Sequence, residues 1–126
     1  MEEEGMITYS LPYPPTVNGL FVQAGDRRIK SKPYKAWREA AGWAIAEQGR
    51  KRMAGNVMLI LECVRPDGRK RDISNLIKAV EDLLVEMGVI EDDQYVDLVS
   101  AAWVRRGPPC RVIVTASPFE LDLDGP

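Results

Sequence analysis

The chain contains no histidine, and that absence narrows its chemistry. Without an imidazole there is no histidine general base and none of the usual zinc sites. Any metal must be held mainly by oxygen, which favours Mg2+ or Mn2+. Cysteine is nearly as scarce. Cys63 and Cys110 sit in apolar, strand-like runs and read as reduced core residues of a cytoplasmic protein, with a disulfide the lesser alternative. No apolar run approaches the ~18 residues of a membrane span, so no membrane partner is expected. Met1-Glu2-Glu3-Glu4-Gly5 is too acidic and polar to open a signal peptide. A glycine-rich phosphate loop is also missing, which argues against an NTP-driven enzyme. There is no repeat, low-complexity tract or linker. The 126 residues therefore read as one domain spanning 1–126, with loose tails at 1–5 and 118–126. An apolar content of 45% is enough for a core that needs no staples.

What is there is charge, unevenly placed. The net charge of −2 suggests no polyanionic partner, but residues 27–71 hold thirteen Lys/Arg and four acids and so net +9, whereas residues 79–104 hold seven acids and no base. Such asymmetry is an electrostatic footprint that whole-chain charge conceals, unless the two faces are simply solvated and paired with each other.

Hydrophobic patterning gives the elements. Residues 6–12 read as a strand closed by Pro12. Leu20 to Gln23 and Arg27 to Lys30 form a hairpin about Ala24-Gly25-Asp26. Ser31 suits a helix N-cap, with Pro33 in the first turn and Trp37, Ala41, Ala44 and Ile45 as the apolar stripe, ending near Gly49. Arg50-Lys51-Arg52 then falls at that helix's negative end. Val57 to Val64 is a strand carrying one charged residue, Glu62, which must lie at an edge or aim at a site. Tyr95 to Arg105 and Arg111 to Ala116 are the last strands. The order predicts an α+β fold with two helices packed on one small mixed sheet.

The stretch from Arg71 to Asp93 carries the chemistry. Ile73, Leu76, Ile77, Val80, Leu83, Leu84 and Met87 make one apolar helical stripe, with Gly88 as its left-handed stop. Asn75, Lys78, Asp82 and Glu86 share the opposite face. Asp72 opens this helix, and Glu91-Asp92-Asp93 follows it. Taken singly, Asp72 is as well explained as a cap, Lys78 as a surface partner of Asp82, and Asp92-Asp93 as a solvated turn. Together they make a set suited to phosphodiester cleavage, in which carboxylates hold divalent ions and a lysine neutralises developing charge. A helix of ~15 residues spans about 22 Å. Asp93 therefore returns towards Asp72 only if the following strand lies beside the strand before Asp72; otherwise two protomers share the site.

Arg71-Asp72-x-x-Asn75-Leu76-x-Lys78, then Asp82, then Asp92-Asp93-x-x-Val96 resembles the RusA family of Holliday junction resolvases. Three further stretches resemble it too: Leu11-Pro12-Tyr13-Pro14-Pro15-Thr16-x-Asn18, Ser31 through Tyr34-x-x-Trp37-Arg38, and Glu62-Cys63-x-x-Pro66-Asp67. The resemblance covers roughly residues 6–116. It implies a Mg2+-dependent homodimeric endonuclease, with family members typically of phage or prophage origin, that nicks two opposing strands of a four-way DNA junction and leaves 5′-phosphate and 3′-hydroxyl ends. It implies Asp72 and Asp93 as catalytic metal ligands, Lys78 as catalytic lysine, and Asp92 as a support for Asp93. Asn75 and Asp82 are further supporting residues. Arg27, Arg28, Lys30, Lys32, Arg69, Lys70 and Arg71, with Arg50 to Arg52, would grip phosphates.

One position departs from the pattern. Where family members have an aspartate two residues after the first one, this chain has Ser74. A hydroxyl can ligate Mg2+ but brings no charge. Glu62, Asp67 and Asp82 are the candidates to compensate. The alternative is a structure-specific DNA-binding protein of the same fold that does not cut, and a more distant one is a Mg2+-dependent nucleotide phosphohydrolase.

Overall fold

The computed structural model describes residues 5–119. Of the expected loose tails at 1–5 and 118–126, residues 1–4 and 120–126 lie outside the described residues. Strand β1 (Met6–Leu11) is followed by a 3-10 turn at Val17–Gly19 and by a hairpin of β2 (Phe21–Ala24) and β3 (Arg27–Lys30). Helix α1 (Lys32–Gln48), strand β4 (Val57–Val64), helix α2 (Ile77–Glu86) and strands β5 (Val96–Val104) and β6 (Cys110–Ala116) complete the chain. The main sheet has the order β1-β6-β4-β5, and β2-β3 forms a separate two-stranded sheet. The α+β architecture with two helices on one mixed sheet is therefore as the sequence predicts.

Local chemistry explains the boundaries. Ser31 caps α1, its hydroxyl accepting from Tyr34 N at 3.2 Å and donating to Gly19 O at 2.7 Å. Gln48 closes α1 against β1, bonding both the backbone N–H and the carbonyl of Ser10. Gly88 ends the second helical region with φ +74°, a conformation only glycine adopts cheaply. That region is shorter than the stripe suggested, because it enters through a 3-10 turn at Ile73–Leu76.

Strand β4 is central. Val57, Leu59, Leu61 and Cys63 are fully buried against the helices, as are Val80, Leu83 and Leu84 of α2. The central stripe is thus consumed by the core and is not free for a second subunit. The opposite sheet face carries Met58, Ile60, Leu98 and Ile113, all half-exposed, with no element of the described chain over it. Glu62 corrects the expectation of an edge position or a site role. It lies on that open face of an interior strand and meets its register partner Arg111 at 3.3 Å. Cys63 and Cys110 are buried free thiols opposite each other on β4 and β6. The contact with Cys63, and then burial, push the Cys110 thiol well up.

Ser31→Ala removes the cap and leaves the Gly19 carbonyl without its donor. It should destabilise the fold by about 1–2 kcal/mol, read as a lower urea midpoint at unchanged slope.

Candidate metal and phosphate site on the β4–β5 crossover

Strand β5 pairs with β4 in parallel, Val57 opposite Val96 and Val64 opposite Val104. A parallel pair needs a crossover, and the crossover here is residues 65–95, the stretch that carries the chemistry. The strand after Asp93 lies beside the strand before Asp72, but in parallel: Asp93 leads into Val96 opposite Val57, whereas Asp72 follows the far end of β4 at Val64.

The structure divides the expected site residues between two clefts. Asp72, Asn75, Lys70 and Arg71 line the first, together with Arg65, Leu76 and the Tyr13, Thr16 and Asn18 side chains of the N-terminal loop. Asp72 holds the N-cap position of the 3-10 turn in extended backbone, but its carboxylate makes no capping hydrogen bond. The capping explanation of Asp72 therefore fails, and its exposed carboxylate faces solvent in a basic groove. The Tyr13 hydroxyl is buried there without a hydrogen-bond partner among the described residues. Ser74 is exposed on the same 3-10 turn.

Asp92, Asp93 and Asp82 line the second cleft, with Lys30, Arg38, Phe21 and Tyr34. Here the side-chain oxygens of Glu81, Asp82 and Asp93 lie within 4.8 Å of one another. Asp72 is not part of that cluster. Lys78 Nζ is 3.2 Å from Asp82 Oδ1. This hydrogen bond, reinforced by the charges of Asp82, Glu81 and Asp93, holds the ammonium above the ordinary lysine range. Glu81 is half-buried, and its carboxyl is raised, first by burial and then by the charge of Asp93. Asp92 turns one oxygen back to accept from Asp93 N at 2.7 Å, which orients the loop bearing Asp93. Carboxylate oxygen is the donor type that a hard divalent cation takes, so Glu81, Asp82 and Asp93 have the chemistry to hold one.

Glu81 was not among the sequence candidates. It lies three residues after Lys78 and hence about 60° from it around the helix, a spacing from which it was recoverable. Of the three residues expected to offset Ser74, two are committed elsewhere. Glu62 holds Arg111, and Asp67 holds Arg71 through contacts at 2.7 and 3.2 Å and accepts from Arg69 N at 3.0 Å.

The basic residues also separate. Arg27, Arg28, Lys32, Arg69 and Lys70 are exposed, and Lys30 is half-exposed at the Asp93 cleft. Arg28 stacks on Phe21 at 4.8 Å, and Phe21 packs edge-on against Tyr34, so the basic hairpin is tied to α1. Arg50 and Arg52 do not serve the end of α1. They donate to Met87 O and Gly88 O, at the end of α2.

The model of the endodeoxyribonuclease RusA family matches residues 12–116. The crossover junction endodeoxyribonuclease RusA of Escherichia coli (strain K12) is 35% identical over 99 residues, covering 73% of this chain and 80% of that protein. The protein of that name from Aquifex aeolicus (strain VF5) is 26% identical over 122 residues, 95% of each chain. The one from Enterobacteria phage HK97 is 29% identical over 91 residues, 71% of this chain and 75% of the relative.

The Asp67–Arg71 pair fixes the approach to Asp72 and gives a pH signature. Its hydrogen bond to Arg71 holds the Asp67 carboxyl down at about 2. A depressed carboxyl contributes order above its unfolded value and loses it as pH falls, so the pair should be complete above about pH 4 and dissolve towards pH 2. An NMR titration of Asp67 should show that midpoint, and Arg71→Gln should return it to the usual carboxylate range. An ordinary midpoint in the unsubstituted protein would show that the pair does not form in solution.

Proposed function

The chain belongs to the RusA family of endodeoxyribonucleases, and from that membership we propose that it is a divalent-metal-dependent, structure-specific endonuclease. Its substrate in this reading is a four-way DNA junction, resolved in the cytoplasm by paired nicks from a homodimer. The observation that carries the reading is the meeting of Lys78 with acidic oxygens on the crossover, in a cleft flanked by the basic hairpin and next along the chain to a groove lined by Arg65, Lys70 and Arg71.

In this reading Asp72 and Asp93 hold Mg2+ or Mn2+, Ser74 offers a neutral hydroxyl, and Asp92 holds the Asp93 loop in place. When bound, the divalent ion supplies polarisation of the scissile phosphate and acidifies the attacking water. Asp72 suits the role because its carboxylate is exposed and caps nothing. Lys78 works as a fixed cation and not as a proton acceptor, because Asp82 holds its proton on. Its part is to neutralise charge that builds on phosphate oxygens in the transition state. Asn75, in the groove with Asp72, orients that carboxylate or a phosphate oxygen.

Arg27, Arg28, Lys30, Lys32, Arg69, Lys70 and Arg71 contact backbone phosphates, which gives affinity that falls with salt and carries no sequence information. Two copies related by a two-fold axis match the near two-fold symmetry of a junction. The open sheet face with Met58, Ile60, Leu98 and Ile113 supports pairing there, since the stripe of α2 is already buried. Ser74 favours one other reading, a junction binder that does not cut, because the hydroxyl brings no charge to the metal.

A labelled mobile junction with Mg2+, run beside an EDTA control and linear duplex, separates the two. Paired nicks in the junction alone are expected; tight binding without nicks would establish the binder. Asp72→Asn and Asp93→Asn should each lower cutting by roughly 100-fold or more with junction gel shift nearly unchanged. Lys78→Ala should slow cutting more than it weakens binding. Wild-type cutting by both aspartate variants would remove them from the metal site. Lys70→Ala, by contrast, should weaken binding evenly across junction sequences and reduce the salt slope by about 1.

A further inference from the structure

We propose that Arg65, held against the indole of Trp103, is a DNA-backbone contact of the Asp72 groove and takes a phosphodiester of the bound strand through its in-plane N–H donors. The proposal rests on the reading of the chain as a junction nuclease and adds to it two residues outside the expected set. Arg65 lines the groove together with Asp72, Asn75, Lys70 and Arg71. Its Cζ lies 4.6 Å from the centre of the Trp103 ring. Among the described residues it makes no ion pair. The other arginine of the groove is committed, since Arg71 holds Asp67 through contacts at 2.7 and 3.2 Å. Arg69, on the same loop, also faces Asp67, at 3.7 Å. Lys70, the remaining cation of the groove, is an exposed point charge on a flexible stem.

The sheet explains the arrangement. Arg65 is the first residue after β4 and follows Cys63 by two, so the two side chains leave on the same side. Cys63 is the register partner of Trp103 on β5. The half-buried indole packs against the core and gives the guanidinium a fixed surface to lie on. The backbone is fixed as well. Val64 N donates to Pro109 O at 3.1 Å, and Pro66 confines the residue before it to extended geometry. Stacking occupies the flat face of the guanidinium and neutralises none of its charge. The N–H donors lie in the plane and stay available, which is the geometry that grips a phosphate with two parallel hydrogen bonds. A carboxylate partner, as Asp67 is for Arg71, uses those same donors and must be displaced first. Arg105 shares the adjoining cleft with Arg65 and Trp103, at the end of the edge strand β5, so positive charge continues outward from the groove.

The test is four-way junction binding by the full-length protein in EDTA over a series of salt concentrations, with cutting in Mg2+ measured beside it. Arg65→Gln should weaken binding by roughly 10-fold at low salt and reduce the salt slope by about 1. Arg65→Lys should restore the slope but only part of the cutting, because an ammonium keeps the charge and loses the paired donors. Trp103→Leu keeps an apolar side chain on the core and removes the ring. It should leave the slope unchanged and lower cutting by about 3-fold. The double variant Arg65→Gln with Trp103→Leu should be no worse than Arg65→Gln alone, a non-additivity that a merely structural Trp103 would not give. Additive losses overturn the part assigned to Trp103, and wild-type affinity and slope in Arg65→Gln overturn the proposal. If the wild type binds the junction without cutting it and Arg65→Gln still loses affinity, the nuclease reading fails and the phosphate contact stands. If the wild type cuts and Arg65→Gln matches it in affinity and slope, the nuclease reading stands and Arg65 is not a contact.

Discussion

The parallel pairing of β4 with β5 is the constraint on which the rest of the structure depends. Antiparallel neighbours can be joined by a short turn, but this pair obliges residues 65–95 to leave one end of β4 and return beside its beginning. The return segment must also cover the sheet, and it does so with Leu76, Val80, Leu83 and Leu84, each almost fully buried. Burial of each such side chain stabilises the fold by about 1.5–3 kcal/mol, so packing alone fixes the rotation of α2 about its axis. The polar face is then carried along without contributing to that choice. Asp72, Ser74, Lys78, Glu81 and Asp82 project from an element whose position is already determined, which is the condition for holding functional groups in a constant geometry.

Electrostatics follows from this placement. The basic span at 27–71 is not a single patch, since several of its guanidiniums have structural partners. Arg50 and Arg52 satisfy carbonyls at the end of α2, Arg38 reaches Glu86, and Arg71 holds Asp67. Arg38–Glu86 and Arg52–Glu91 join the basic span to the acidic one, whereas Arg71–Asp67 lies within the basic span, so the pairing that the charge asymmetry left open is only partial. Most lie at the surface, where an ion pair contributes only ~0–1 kcal/mol. An arginine in such a pair can exchange its carboxylate for a phosphate at little loss. Among the described residues Lys30 and Lys70 make no ion pair, and they line the two clefts beside the crossover helix.

Much of this was legible in the sequence because the signals were local. The limits of β4 follow from the alternation between Val57 and Val64, and the start of α1 from Ser31 with Pro33 behind it. The two-residue turn of the hairpin is marked by Gly25, whose φ is +67°. What was not legible depends on partners distant in sequence. Glu62 looked like an edge or site residue because its partner, Arg111, lies 49 positions away and meets it only through the β4–β6 register. The targets of Arg50 and Arg52 depend on where the end of α2 comes to rest. The 3-10 entry at Ile73–Leu76 could not be read from periodicity, since an apolar stripe at these spacings does not distinguish one tight turn from the first turn of an α-helix. Glu81 was obscured because sorting residues into an apolar stripe and its opposite leaves the flanks of the helix unassigned.

The cluster around Asp93 is the part of the fold that stability alone would not select. Two carboxylates less than 4.8 Å apart repel by roughly 1 kcal/mol or more in water and several times that at a partly buried surface. Three are held together here with one ammonium beside them. Elsewhere in the chain most acids near the crossover have been given a cation, often an arginine across the sheet or on the next element. The contrast shows that the shortage of partners at this turn is local and not a property of the composition, since the chain has seventeen Lys/Arg to nineteen acids. Departures from local electrostatic preference are expected at functional or strained sites. The unpaired acidic charge lies one helical turn beyond Lys78, against the loop that bears Asp93.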